Sequence, residues 1–187
     1  GSGAVAAMTA GSRISMFMVC PFDALGSTMA TYGGQNVGAG KYDRLAKGMK
    51  SAIILAAIYS AMILVVVMIF ARPLIYLFID PSDTENVAQV VARARQFLIT
   101  NTCFYMLLSL VNIVRFLIQG MGFSGFAVFA GVFEMIARTL IGLVFVPIFG
   151  FTAACFASPL AWFFADCFLI PAFFHCRKKL TQHVRNA

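Results

Sequence analysis

The sequence predicts an all-α fold, a polytopic bundle of about five transmembrane helices. Of its 187 residues, 61% are hydrophobic and only 11% are charged, whereas a soluble domain has roughly 25% charged residues. The mean hydropathy is +0.89. The apolar residues also lie in long runs, and a helix of about 20 residues is enough to cross the hydrocarbon core of a bilayer.

The predicted helices follow one another through short connections. Each meets or exceeds the length that crosses a bilayer, so the longer ones have to tilt, bend or project into water. Four prolines, Pro21, Pro73, Pro159 and Pro171, fall inside or near these helices and predict kinks. The predicted spans are residues 4–33, 51–78, 88–119, 126–146 and 152–175.

Local chemistry marks the predicted helix ends. A series of glycines that begins at Gly33 is expected to end the first helix. The sequence Asp-Pro-Ser-Asp at 80–83 breaks the second helix and offers a cap for the third. Three glycines within 120–125 predict the next turn, and Pro-Ile-Phe-Gly at 147–150 separates the fourth helix from the fifth.

Charge in the connections predicts the sidedness of the helices. Four basic residues lie between 41 and 50, three acidic residues lie between 80 and 85, and Arg115 makes the third connection mildly basic. Residues 177–187 are again basic, and we treat them as a cytoplasmic tail behind a transmembrane part, 1–176. Under the positive-inside rule, the first and third connections and the C-terminus face the cytoplasm of a cell membrane.

Ordered motifs resemble one family of transporters. Residues 34–44, GQNVGAGKYDR, follow a helix that contains 21–26, PFDALG. Together they resemble the second helix of the C-terminal lobe in MATE (multidrug and toxic compound extrusion) transporters. The resemblance continues, in family order and with matching spacing, through 118–122, 134–138, 147–151 and 159–162.

The resemblance implies a two-lobed architecture of twelve helices around a central cleft, of which this chain would supply helices eight to twelve. Helix seven and the N-terminal lobe would then be missing partners. The implied function is the C-terminal half of a secondary antiporter, coupled to H⁺ or Na⁺, that exports small organic cations or amphipathic compounds by alternating access. Two alternatives stay open: a flippase for lipid-linked precursors, and a truncated, non-transporting membrane protein that binds a partner helix bundle.

Polar residues inside apolar helices are the candidate substrate site, because they are costly in a bilayer. Asp23 could contact a substrate or a proton, or be a satisfied polar group. Asn101, Tyr105, Ser109 and Asn112 recur at intervals of three or four residues and predict one polar stripe on the third helix. Such a stripe more often faces a cavity or another helix than lipid.

Two further acidic residues lie within predicted helices. Glu134 and Arg138 stand four positions apart and are expected to pair, either as a structural pair or as a polar patch that responds to protonation. Asp166 is interpreted as structural. The sodium-coupled branch of the resembled family carries an acidic residue on the helix that matches 88–119. That stretch contains neither Asp nor Glu, so the coupling ion stays open.

A helix-end motif follows the first helix. Its residues are expected to cap and pack, with a direct ligand role less favoured. Gly34 and Gly38 have the small-xxx-small spacing that allows another helix to approach closely. The motif comprises Gly34, Gln35, Asn36, Gly38 and Gly40.

Other classes of function find no support in the sequence. There is no nucleophile–base set, no phosphate-binding loop and no HExxH motif, so we do not expect an enzyme. The five cysteines form no CxxC pair and predict neither a metal site nor a cofactor. The net charge of +7 sits in clusters between apolar runs, which argues against a nucleic-acid partner and for membrane lipid.

Overall fold

The computed structural model describes residues 2–79 and 87–185, where all of the regular structure is helical. A π-helical turn, Ile141–Phe145, joins two of the α-helices into one rod. The α-helices in chain order are α1 Ser2–Gly38, α2 Tyr42–Tyr76, α3 Val87–Cys103, α4 Tyr105–Gly120, α5 Ser124–Leu140, α6 Val146–Phe149 and α7 Phe151–Arg185.

Five spans can be built from these helices. Within the described residues, α1, α2, α7 and the rod formed by α5, the π-helical turn and α6 are each long and apolar enough to cross a membrane. Helices α3 and α4 meet at an angle of 49° and pass the same test of length and composition only as a pair, which gives up to five spans. The prediction of an all-α transmembrane bundle is confirmed.

The third predicted span, 88–119, is not one continuous helix. Phe104 leaves the helical conformation with φ −105° and ψ 10°. Hydrogen bonds that span three residues replace the four-residue bonds of an α-helix there. The Phe104 N–H donates to the Asn101 carbonyl at 3.0 Å, and the Phe104 carbonyl accepts from the Leu107 N–H at 2.9 Å. No Gly or Pro lies at this point, but the side chains of Asn101 and Thr102 donate to carbonyls four residues back, and such bonds often bend helices. Packing acts at the same point, since α3 and α4 both contact α1.

Three helices are longer than the sequence predicts. Helix α1 continues past Gly33 to Gly38, α2 begins at Tyr42, and α7 runs through 175 to Arg185. A glycine costs a helix only about 1 kcal/mol, and α4 packs directly against Gly33, which offsets that cost. The basic residues of the first connection and of the predicted tail therefore lie mostly on helix ends.

The remaining connections follow the sequence closely. Gly40 and Gly150 reverse the chain with φ of +68° and +64°, a conformation that favours glycine. The four predicted kink prolines do lie inside helices, in α1, α2 and α7. The acidic second connection, with its predicted cap at 80–83, lies outside the described residues.

Cross-helix contacts define a basic end of the bundle. Arg177 near the end of α7 lies 3.8 Å from the Asp43 carboxylate at the start of α2. The Lys179 ammonium sits over the Phe123 ring at 5.8 Å. The first connection, the α4–α5 turn and the end of α7 therefore share one end, as the charge pattern predicts.

The start of α3 and the start of α7 lie together at the opposite end. The Arg93 guanidinium stacks over the Phe151 ring at 5.9 Å, and the Gln96 amide donates to the Thr152 hydroxyl at 3.4 Å. Between the two ends, α4 is the central helix, and its Tyr105 is among the largest fully buried side chains. The outer face of α2 is apolar and exposed, as lipid contact requires.

Candidate functional site

A hydrogen bond between two side chains joins the middle of α1 to the middle of α4. Asp23 is exposed on α1, two residues after Pro21, and Asn112 is only 8% exposed on α4. The Asn112 Nδ2 donates a hydrogen bond of 2.8 Å to the Asp23 Oδ1. The carboxylate keeps its second oxygen for another partner, while the amide fixes its orientation.

A groove of about 390 Å³ opens beside this pair. Helix α1 supplies Ser15, Cys20 and Asp23, and other helices supply Asn101 and Arg138. The buried indole ring of Trp162 on α7 forms part of its floor. The groove thus combines one carboxylate, one guanidinium and an aromatic surface, which suits a compound that is partly apolar and carries a charge.

The predicted polar stripe divides at the bend before α4. Asn101 lines the groove, and its Nδ2 donates to the Phe97 carbonyl at 2.9 Å and, at the limit of a hydrogen bond, to the Cys155 carbonyl at 3.5 Å. Asn112 reaches Asp23. Because α3 and α4 differ in direction by 49°, the residues between these two asparagines do not continue the same face.

Tyr105 and Ser109 lie in the core rather than in the groove. The Ser109 hydroxyl donates to the Met106 carbonyl at 2.7 Å. The Tyr105 ring is 1% exposed and packs between Phe22 and Trp162, with centroid distances of 5.9 and 6.3 Å. Its hydroxyl has no hydrogen-bond partner within the described residues. Tyr105 therefore supports the Trp162 ring that lines the groove.

A charge network lies next to the groove. The Glu134 Oε2 accepts from Arg138 at 3.3 Å, the pairing that the spacing predicts. The Glu134 Oε1 accepts from Arg115 of α4. Sequence reasoning missed Arg115 as a partner because it stands 19 positions away on another helix. Its place inside an apolar run was the available signal, since an intramembrane arginine needs a carboxylate nearby.

Asp166 on α7 lies close to this network. It is 4% exposed, and neither carboxylate oxygen has a hydrogen-bond partner within the described residues. The charges of Glu134 and Arg115 are near enough to act on it. Among the described residues, no group of three or more His, Cys, Asp or Glu is arranged to hold a metal ion.

The helix-end motif packs against α4 through Gly34 but not through Gly38. The Asn36 Nδ2 donates to the carbonyl of residue 32 at 2.8 Å, inside α1. A Cβ at Gly38 would meet nothing within 4 Å, and one at Gly34 would lie 3.4 Å from the Gly120 carbonyl oxygen. The tightest approach involves Gly120 itself, where a Cβ would lie 2.1 Å from the Ala30 carbonyl oxygen. Gly34, Gln35, Asn36, Gly38 and Gly40 lie away from the groove lining.

The chain is similar to a protein family and to solved structures. The sequence model of the MatE family matches residues 1–148. No curated protein sequence matches the chain. A crystal structure of MATE in complex with MaL6 is 19% identical, with a TM-score of 0.80, and the match covers 97% of this chain and 40% of that one.

A second solved structure is a MOP superfamily transporter from Pyrococcus furiosus Vc1 (DSM3638), described as having a binding pocket of reverse polarity. It is 20% identical, with a TM-score of 0.77, and the match covers 97% of this chain and 39% of that one. The chain thus spans about two fifths of the length of both structures. At these identities the likeness concerns the fold.

Proposed function

The chain belongs to the MatE family of membrane transporters, and from this premise we propose that it forms the C-terminal lobe of an ion-coupled secondary antiporter. The proposed cargo is a cationic or amphipathic organic compound, and the coupling ion is H⁺ or Na⁺. The lobe would rock against an N-terminal lobe and expose a shared cleft to each side of the membrane in turn.

The Asp23–Asn112 pair carries this proposal. Asp23 presents an oriented carboxylate to a groove with an aromatic floor, and such a carboxylate attracts an organic cation in a site of low dielectric. The unpaired face of α1 beside it, with Met16 70% and Phe17 72% exposed, is apolar and flexible enough to accept varied shapes or a facing helix.

The groove disfavours an anionic, lipid-linked cargo. Arg138 is the one basic side chain among the described groove residues, and Glu134 already accepts a hydrogen bond from it. A flippase for phosphorylated lipid precursors would need several free cationic groups at the cleft. We therefore place the exporter of cations first.

We further propose that the basic end of the bundle faces the cytoplasm. The first connection, the α4–α5 turn and the end of α7 meet there, and lysines and arginines near helix ends favour the cytoplasmic side. The membrane would be the cell membrane, with the groove opening toward a second lobe.

Transport by the intact protein in proteoliposomes tests the proposal. When H⁺ or Na⁺ flows down an imposed gradient, a fluorescent organic cation should move across the membrane in the opposite direction. Asp23→Asn should reduce that flux. Absence of flux under either gradient, with correctly folded protein in the membrane, would overturn the function. Full flux in Asp23→Asn would overturn the site while leaving the transporter assignment intact.

A further inference from the structure

Asp166 is a buried carboxyl group without a partner. Only 4% of it is exposed, and both oxygens lack hydrogen bonds within the described residues. An ionised carboxylate in such a place is strongly unfavourable without a compensating partner. A neutral, protonated carboxylic acid avoids most of this cost.

The neighbouring charges include a donor that is also unsatisfied. Arg115 of α4 donates through one terminal nitrogen to Glu134 of α5, yet its Nε is buried and has no partner within the described residues. Arg115 and Glu134 are the charged groups from the adjoining helices that act on Asp166. One donor, the Arg115 Nε, and two acceptors, the Asp166 carboxyl oxygens, therefore lie in one region of the lobe without hydrogen-bond partners among the described residues.

We propose that Asp166 is a proton-binding site of this lobe, with Arg115 exchanging between Glu134 and Asp166 as the proton binds and leaves. With the proton bound, Asp166 is neutral. Glu134 then accepts from both arginines, which is the arrangement in the structure. When the proton leaves to water, Arg115 pairs with the Asp166 carboxylate and Arg138 keeps Glu134. Each arginine then has one carboxylate, so the net charge of the four groups falls from +1 to zero.

The network connects this site to the groove, which deepens the proposed function and rests on it. Arg138 lines both the groove and a cavity of about 310 Å³ that it shares with Glu134. Water in that cavity would reach Glu134, the carboxylate that we propose shares Arg115 with Asp166. A stronger or weaker Glu134–Arg138 ion pair changes the positive charge that a cationic cargo meets at Arg138. Binding of the proton and binding of the cargo therefore influence each other.

A proton fits this site better than a sodium ion. A hard cation such as sodium needs several oxygen ligands at once, and within the described residues no group of three or more His, Cys, Asp or Glu lies around Asp166. The positive charge of Arg115 also opposes a second cation. A proton needs only the one carboxyl group.

Infrared difference spectroscopy of the purified intact transporter in lipid tests the site without measuring transport. Spectra at acidic minus alkaline pH should contain the carbonyl stretch of a neutral carboxylic acid. Asp166→Asn should remove that band, while Asp43→Asn, a change at a residue with 97% of its side chain exposed, should leave it. Glu134→Gln frees Arg115 for Asp166 and should weaken the band.

A second measurement covers the case in which Asp166→Asn does not fold. Labelling aspartate with ¹³C should shift the band in the unaltered protein, and Asp166→Glu should restore the unshifted position. Persistence of the band in folded Asp166→Asn, absence of a ¹³C shift, or disappearance of the band on adding sodium at constant pH would each overturn the proton site. A band that behaves as expected beside failed transport would overturn only the proposed function.

Discussion

Asn112 holds the carboxylate of Asp23 through a hydrogen bond of 2.8 Å that spans 89 positions of the chain. The donor is almost fully buried on α4, whereas the acceptor is exposed on α1. The exposed carboxylate therefore has a fixed direction, which a flexible acidic side chain on an open helix face would lack. This relationship ties the proposed cation site to the central helix.

Asn112→Ala should raise the KM for an organic cation about tenfold. Without this bond the Asp23 carboxylate loses its fixed direction and has to be ordered when the cation binds, and a cost of about 1.4 kcal/mol corresponds to a tenfold change in affinity. Thr28→Ala is the matched control, because that exposed α1 hydroxyl bonds only to the Ala24 carbonyl. Initial rates in proteoliposomes measure both variants, and equal KM values would contradict a role for the pair in binding.

Tyr105→Phe should leave transport unchanged. The Tyr105 hydroxyl is buried and has no hydrogen-bond partner within the described residues, so its loss should alter stability by less than about 1 kcal/mol. Transport rates and thermal unfolding of the purified protein check this expectation. A large fall in rate would show that the hydroxyl reaches the cargo in another state of the cycle.

Gly120→Ala should destabilise the protein by about 1–3 kcal/mol, as overpacking of a tight contact does. The added Cβ would lie 2.1 Å from the Ala30 carbonyl oxygen, so a backbone would have to move. Gly125→Ala is the control, since its Cβ would meet nothing within 4 Å. Thermal melts in detergent compare the two, and similar midpoints would contradict the close contact of α1 with α4.

Arg115→Ala should cost more stability than Arg138→Ala. Breaking a fully buried pair costs about 3–5 kcal/mol, and partial exposure of Arg115 and Glu134, 24% and 14%, lowers the expected loss to about 2 kcal/mol. Arg138 is 49% exposed, so its pair contributes about 1 kcal/mol or less. Unfolding in mixed micelles measures both losses, and a greater loss for Arg138→Ala would reverse this ranking.

A single cysteine at Ala39 should react with a membrane-impermeant thiol reagent only from the cytoplasm. One at Thr152, at the opposite end of the bundle, should react only from outside. Both positions are exposed in the structure, and the background for each variant lacks the five native cysteines. Labelling of intact cells and of inverted vesicles distinguishes the two sides. The reverse pattern would contradict the proposed sidedness.

The spans were predictable because bilayer insertion depends on a local property. Twenty or so apolar residues suffice, whatever they later contact. The break at Phe104 was not predictable, because the weak helix formers at 99–105 include no Gly or Pro to mark one position. The bend also depends on how α3 and α4 pack on α1. The continuation of α1 beyond Gly33 has the same origin, since α4 stabilises a glycine that would otherwise favour an end.

The candidate site was likewise predictable from the sequence only in part. Asp23 and Asn112 could be singled out as costly polar residues, and the spacing of Glu134 and Arg138 predicted their pairing. Arg115 could not be assigned to Glu134 from spacing, because the two lie on different helices. Tyr105 fits the periodicity of the stripe but turns into the core, since periodicity within a helix says nothing about which helix covers each face.

The contact between Ala30 and Gly120 has a mechanical consequence. No side chain separates the two backbones there, so no change of rotamer can let α1 slide along α4. The two helices should therefore move as one rigid body and carry Asp23 and Asn112 at a constant separation. A difference in cation affinity between inward-open and outward-open states must then come from the opposing walls of the cleft.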